Sequence, residues 1–482
     1  MERINMIKYL YRIFKKKFLE NINNKLDDLL LKQTKIIKEL EEYNEKISTR
    51  EFQDGKEILS LISELILKLD PTLNQIQKRL DLLDNKTNSI LLRQLNIHSS
   101  QENRVLFIIH NMYTWAALSL LYYEFEKRDD VEIFVLAINA GDNSSDLQKS
   151  YSSKTTDFLS DEKIKYHYIQ YDDVAGLISY LSAISPTAII RQSGWDADIP
   201  NIYSAINLSN YNIFYIPYYS LDVINDFSTD KLNLEYNQNL HLLSKKIYGT
   251  SQYFVNHAKE IYLGDYKKYE FLGNTKIEFL TKNIIENHHF IKTGVLNVIW
   301  APHHSIGGNW LAFGTFEKNC LDFIHLAEKY GQRIHIKLRA HPLLASAMQN
   351  YDRALWEKFI YKWNELPNTS IDEYWDYIKS FEWSDLMISD GISFLAEYPL
   401  TNKPIIYIES TSHMEFNENG ELARNCCHVV KNSEELFFLI ERFFLSELEI
   451  KSDAVQKLKE SLWIDGAAKR IADDILKTLK NK

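Results

Sequence analysis

The 482 residues are too many for one hydrophobic core of ordinary size, so two or three domains are expected. With 45% hydrophobic and 13% aromatic residues there is ample material for packed cores, and a net charge of −10 argues against a general nucleic-acid binder. Cys320, Cys426 and Cys427 fit neither a disulfide framework nor a zinc pattern, which suggests a reducing compartment. No apolar run approaches the ~20 residues that span a bilayer, and the basic N-terminus lacks the unbroken apolar core and small-residue cleavage site of a secretory signal.

In residues 1–20, Ile4, Ile7, Tyr11, Phe14 and Phe18 recur at helical spacing among Arg3, Lys8, Arg12, Lys15, Lys16 and Lys17. A basic helix of this kind suits the surface of an anionic membrane. It equally suits a solvated helix packed on its own protein. Residues 21–100 form a second unit with almost no glycine. Ile62, Leu65, Leu69, Leu73, Ile76, Leu80, Leu83 and Ile90 fall at spacings of three, four or seven, a coiled-coil seam over a few heptads. Asp70-Pro71 caps and restarts a helix within it, and Gly55 marks a second break. An oligomerising stalk and a helical hairpin folded on the body are both compatible with this pattern.

Residues 101–285 alternate strands and helices. Arg104–Ile109 is an apolar strand, Met112–Lys127 a helix, and Val131–Ile138 a strand; further strands are expected at Lys165–Gln170, Thr187–Arg191, Asn212–Pro217 and Tyr253–Val255. Residues 286–482 repeat the architecture without sequence similarity. Strands are expected at Val295–Trp300, Ile334–Arg339, Leu386–Ser389, Pro404–Ile408 and His428–Val430, and helices at Phe316–Tyr330, Tyr351–Trp363, Ser393–Leu400, Ser433–Leu445 and about Ala454–Leu479, the last crossing back to the first domain. Fully apolar strands alternating with helices indicate parallel sheets covered on both faces. The expected fold class is therefore α/β, two Rossmann-like domains behind a helical N-terminal region. Ligands in such sheets bind at the carboxyl ends of the strands.

Three segments at those ends carry candidate chemistry. Trp300-Ala301-Pro302-His303-His304-Ser305 places two imidazoles and a hydroxyl after a strand, suited to phosphate hydrogen bonds or proton transfer. Adjacent histidines also raise the possibility of a metal, but no third ligand has convincing spacing and no metal is expected. Lys337-Leu338-Arg339-Ala340-His341-Pro342 places Arg339 and His341 after another strand, a pair suited to a diphosphate. The segment Ser384–Tyr398 reads as strand, Asp-Gly turn and helix, with Ser393 at the helix start and Glu397 one turn on. Free amides there favour an anion, and Glu397 suits ribose hydroxyls; a plain N-cap and a dipole-favoured carboxylate account for the same residues.

As an ordered set these segments resemble the CDP-glycerol glycerophosphotransferase family, which makes teichoic-acid-like polymers. The residues that carry the resemblance are Ala301-Pro302-His303-His304, His341-Pro342, Ser384-Asp385 with Asp390-Gly391-Ile392-Ser393, the closing Gly466–Ile471 segment, and Gly273-Asn274. It covers roughly Arg104–Leu479. It implies a GT-B architecture with an N-terminal acceptor domain and a C-terminal donor domain. It implies no cofactor beyond a CDP-glycerol-like donor, a lipid-linked or polymer acceptor, and a cytoplasmic location peripheral to the inner membrane face. His303, Arg339, His341, Ser389, Asp390, Ser393 and Glu397 would hold the donor, with His304 catalytic.

The chain departs from the family at the histidine-bearing segment that supplies a base in the first domain. The nearest equivalent, Tyr215–Tyr219, has no histidine. His110, after the first strand, is the substitute candidate; a structural loop histidine is the alternative. Arg191, with the charged and aromatic residues of the segment Arg191–Asp196 including Trp195, and Tyr218 and Tyr219 are candidates for touching the acceptor or lining the cleft. A sugar transferase of the same fold, a nucleotide-sugar epimerase and a non-catalytic coiled-coil scaffold are the rival readings.

Overall fold

The computed structural model describes residues 103–138, 155–170, 173–196, 199–224, 234–283, 293–372 and 377–480. The expected helix of residues 1–20 and coiled coil of residues 21–100 lie outside them.

Seven short strands pair side by side in the first domain. They are β1 (Asn103–Ile109), β2 (Val131–Ala137), β3 (His167–Tyr168), β4 (Ala188–Arg191), β5 (Ile213–Tyr215), β6 (Lys246–Tyr248) and β7 (Tyr269–Glu270). Their order is β3-β2-β1-β4-β5-β6-β7 and every pairing is parallel. The second sheet runs β10-β9-β8-β11-β12-β13, again parallel throughout. Its strands are β8 (Leu296–Ala301), β9 (Ile334–Leu338), β10 (Thr369–Ile371), β11 (Leu386–Ser389), β12 (Ile405–Ile408) and β13 (His428–Val430). Both orders reverse direction beside the first strand of the sheet, between β1 and β4 and between β8 and β11. Such a reversal opens a crevice at the carboxyl ends of the strands.

The apolar runs are continuous because both faces of each sheet are covered. Leu106 and Ile108 enter one core cluster, whereas Val105, Phe107 and Ile109 enter the other. In β8, Val298 and Trp300 face one side and Ile299 and Ala301 the other. Trp300 stacks on Phe323 with ring centroids 3.7 Å apart.

Several expected elements differ in detail. Tyr253–Val255 is not a strand but part of the helix Gln252–Ile261. Ser251 caps that helix by accepting from the Phe254 amide at 3.1 Å, and Phe254, Val255 and Ala258 recur at helical spacing on its buried face. The expected helix at Tyr351–Trp363 is two helices, Leu344–Tyr351 and Arg353–Glu365, because Asp352 leaves the helical conformation and caps the second. The closing helix also breaks, into Ser452–Leu462 and Ala467–Lys480, with Gly466 at φ +71°. The first of these buries Val455, Leu458 and Leu462 in the second domain. The other returns to the first sheet, where Ile471, Ala472, Ile475, Leu476 and Leu479 share a core with Val105 and Phe107. Asp474 anchors it there, 2.6 Å from Lys246 Nζ and 2.8 Å from the Tyr248 hydroxyl.

Candidate active site

β8 and β9 each end in histidines, and the parallel register sets those ends side by side. The His341 amide donates to the Pro302 carbonyl at 3.0 Å, which locks the two loops together. As a result His303, His304 and His341 form one cluster. Ring centroids lie 4.3 Å apart for His303 and His304, 5.0 Å for His303 and His341, and 4.1 Å for His304 and His341. One ring nitrogen from each lies within 4.8 Å of the other two. The third imidazole that spacing along the chain failed to reveal is therefore His341, supplied by sheet register.

Burial holds all three uncharged. It pushes His303 and His341 well below the usual imidazole range, helped by the neighbouring rings, and lowers His304 to about 4. The Nδ1 atom of His303 lies 2.7 Å from Ser305 Oγ, and that of His341 accepts from the Leu343 amide at 3.2 Å. His304 Nδ1 is buried without a hydrogen-bond partner.

Several residues expected to touch the donor stand behind this cluster. Asp390 accepts from the His303 amide at 2.5 Å and from the Thr315 amide and hydroxyl at 2.6 and 2.7 Å. It braces the β8 loop, and burial pushes its carboxyl up to about 7 despite those donors. Ser389 donates to the Ala301 carbonyl at 2.8 Å and accepts from the Gly391 amide, tying β11 to β8. Asp385 does the same at the other end of those strands, accepting from the Asn297 amide at 3.0 Å. Glu397 is wholly buried against Lys276 Nζ, 2.8 Å away, and the Ser220 hydroxyl. Arg339 is paired with Asp372 at 3.0 Å and lies over the Tyr377 ring. Ser393, by contrast, is exposed, at the start of the five-residue helix Ser393–Glu397.

The first domain also rearranges its expected roles. Arg191 is 2% exposed and spends its guanidinium on the Tyr203 carbonyl at 2.9 Å and on Asp196 at 3.3 Å. It holds the loop after β4 in place. His110 does sit at the end of β1, but its Nδ1 meets the Gln192 side-chain amide at 3.4 Å. Burial and the Arg191 charge lower it to about 3, which makes it a poor base at neutral pH. Tyr218 and Tyr219 pack edge to face, half-buried, beyond β5.

A small pocket of about 30 Å³ lies where the two domains meet, and of its lining only Trp195 was singled out by the sequence. Trp195, Asp222, Ile224, Glu235, Tyr236 and His257 line it from the first domain and Trp310 from the second. Trp310 is 59% exposed and Trp195 36% exposed, unusual for the largest aromatic side chain. The Tyr236 hydroxyl donates to Asp222 at 2.9 Å. No spacing rule links residues 195, 222, 235 and 310; only the faint Gly307-Gly308 signal marks the loop that carries Trp310.

Two parallel sheets in Rossmann order, with histidines at one crevice and an aromatic, acidic pocket between the domains, define a two-domain α/β protein of GT-B-like fold. No protein-family model and no curated protein matches the sequence. Among solved structures the chain is similar to the wall teichoic acid polymerase TagF, with TM-score 0.53 and 12% identity over 86% of this chain and 98% of that one. It is also similar to a protein of Listeria monocytogenes described as a UDP-N-acetylglucosamine 2-epimerase, with TM-score 0.52 and 14% identity over 80% and 98% of the two chains. A Methanocaldococcus jannaschii UDP-GlcNAc 2-epimerase in complex with UDP-GlcNAc and UDP has TM-score 0.52 and 14% identity over 78% and 99%. At these identities the likeness is one of fold.

Proposed function

We propose that this chain is a transferase of cell-surface polymer synthesis. In this reading it moves glycerol phosphate, or a related group, from a CDP-glycerol-like donor to a lipid-linked or growing glycan. The observation that carries the reading is the clustering of His303, His304 and His341 at the crevice between β8 and β11, where this class of sheet binds nucleotides. A shared fold with a teichoic acid polymerase, over 86% of this chain, is in keeping with it. The donor's diphosphate would lie against the imidazoles, with Ser393 and the amides of its helix start at the rim.

An acceptor hydroxyl oxygen would attack the distal phosphorus of the donor. A new P–O bond forms, the bond to the inner phosphate breaks, and CMP leaves with the negative charge. Donors aimed at that charge stabilise the transition state by a few kcal/mol each, about 3 kcal/mol in typical cases. The hydroxyl's proton would pass to a first-domain base, either His110 at the end of β1 or a carboxylate, Asp222 or Glu235, on the wall of the pocket.

A nucleotide-sugar donor is the second reading, favoured by the absence of histidine from Tyr215–Tyr219. The leaving group separates the two: attack on phosphorus releases a nucleoside monophosphate, attack at a sugar carbon releases a diphosphate. Purified protein should release CMP from CDP-glycerol when a lipid-linked acceptor is added; release of UDP from a UDP-sugar selects the second reading, and no turnover of any donor overturns both. Peripheral attachment through residues 1–20 is proposed on their sequence; among the described residues no helix is long and apolar enough to cross a membrane. Removing residues 1–20 should release the protein from anionic vesicles.

A further inference from the structure

We propose that His303 and His341 are held as their Nε2–H tautomers by Ser305 and the Leu343 amide, so that this wall of the crevice is a pair of uncharged N–H donors suited to a phosphate oxyanion and unsuited to a divalent metal.

The deduction starts at Ser305, a wholly buried residue. Its Oγ accepts from the Phe313 amide at 3.0 Å and from the Gly314 amide at 3.2 Å. A hydroxyl has two acceptor sites and one proton. Both acceptor sites are used, so the proton goes to the remaining neighbour, His303 Nδ1 at 2.7 Å. The Ser305 amide points at the same nitrogen from 3.3 Å. Two donors converge on Nδ1, and it must present a lone pair. A neutral imidazole with a lone pair on Nδ1 carries its hydrogen on Nε2.

His341 reaches the same state by a different route. Its Nδ1 accepts from the Leu343 amide at 3.2 Å, and an amide nitrogen can only donate. A proton on this Nδ1 would set N–H against N–H inside a buried site. The same argument excludes imidazolium for both residues, since imidazolium carries a hydrogen on each nitrogen. The turn His341-Pro342-Leu343 and the loop 303–314 thus read out as two Nε2–H groups on adjacent strand ends.

The consequence for ligands is direct. A metal needs a lone pair, and each locked ring has already committed its lone pair to a backbone or hydroxyl donor. An oxyanion needs donors, and these are present without the cost of burying two cations side by side. His304 is the exception in the trio, because its Nδ1 has no partner and no neighbour dictates its tautomer. Ser305 is therefore a positioning residue: it acts on the ligand only through the hydrogen it assigns to His303.

The inference rests on the donor reading above for the identity of the oxyanion, but the tautomers are measurable without any donor. Nitrogen-15 imidazole spectra of the full chain, with His303→Gln and His341→Gln used to assign signals, should show unprotonated Nδ1 and protonated Nε2 on both rings from pH 6 to 8. Ser305→Ala leaves the amide of residue 305 on His303 Nδ1, so His303 should stay in the Nε2–H form while its Nδ1 resonance shifts with the loss of the hydroxyl donor at 2.7 Å; Ser305→Thr should restore the original resonance. Protonated Nδ1 on either ring of the unmodified chain, or stoichiometric Zn²⁺ binding that His341→Gln abolishes, overturns the proposal. Intact tautomers in a protein that turns over no donor leave the lock standing and remove only the proposed reaction. If Ser305→Ala does not fold, the spectrum of the unmodified chain still decides.

Discussion

Lys276 Nζ lies 2.8 Å from Glu397 Oε1, and the pair joins the two domains at a point closed to solvent. Lys276 stands on the helix Thr275–Asn283, whose Ile277 and Leu280 enter the core of the second domain. Glu397 also receives the Ser220 hydroxyl from the first domain. Its other oxygen, Oε2, is buried without a partner. A buried charge that loses its partner is costly, whereas replacing both partners with apolar groups removes the cost. Glu397→Ala is therefore expected to lower stability by about 3–5 kcal/mol, with Lys276→Met/Glu397→Leu recovering most of it. Thermal unfolding midpoints of the three proteins check this; equal losses in the single and double variants would show that the pair is not the cause.

Stability should fall with acid in a window set by buried histidines. Burial holds His110 and His241 down to about 3 and His304 to about 4, against 6.5 for a free imidazole. Below 6.5 the unfolded chain binds protons that the folded chain refuses, so the folded state loses about 1.4 kcal/mol per pH unit for each such residue. Asp390 works the other way. Its carboxyl is raised to about 7, so its contribution is present at low pH and is lost as pH rises toward 7. The histidines outnumber it. The unfolding midpoint is expected to drop from pH 6.5 to pH 4.5, and to drop less in His304→Gln; a flat profile would contradict the buried neutral imidazoles.

Gly273 adopts φ +107°, and a Cβ there would lie 2.6 Å from the Ala467 Cβ and 3.0 Å from the Ile464 carbonyl oxygen. It sits where the turn before the second domain meets the start of the returning helix. Gly273→Ala should cost about 1–3 kcal/mol through backbone strain alone, with more from the clash. Limited proteolysis should then cut near Trp463–Gly466 before any other described segment; unchanged cleavage would mean that the two segments do not depend on this contact.

Trp195 and Trp310 are exposed at the rim of one small pocket from opposite domains, beside Asp222 and Glu235. At about 30 Å³ it holds no more than a water, so a ligand ring would lie across the rim against the Trp310 face. Aromatic faces suit sugar and polyol rings, and carboxylates accept from their hydroxyls. Trp310→Ala should raise the acceptor KM by about tenfold, the worth of one stacking contact, and leave CDP binding unchanged. Because Trp310 is mostly exposed, the variant should fold normally. A matched loss of CDP binding would move the pocket from the acceptor side to the donor side.

The division between what sequence and tertiary structure each decided follows the range of the forces involved. Apolar runs such as Arg104–Ile109 and Val295–Trp300, separated by helical spacing, already specified two parallel sheets, because burial on both faces leaves a local pattern. Strand ends were legible for the same reason, and with them the positions of His110, His303 and His341. What each of those side chains does was not legible. Arg191, Ser389, Asp390 and Glu397 look like ligand-binding groups in a linear reading, yet Arg191 bonds to the nearby Tyr203 and Asp196, and Ser389, Asp390 and Glu397 bond to groups distant in the chain. The joining of His341 to His303 and the closing of Lys276 on Glu397 depend on sheet register and domain packing. Those contacts form between residues tens to more than a hundred positions apart, and no periodicity along the chain records them.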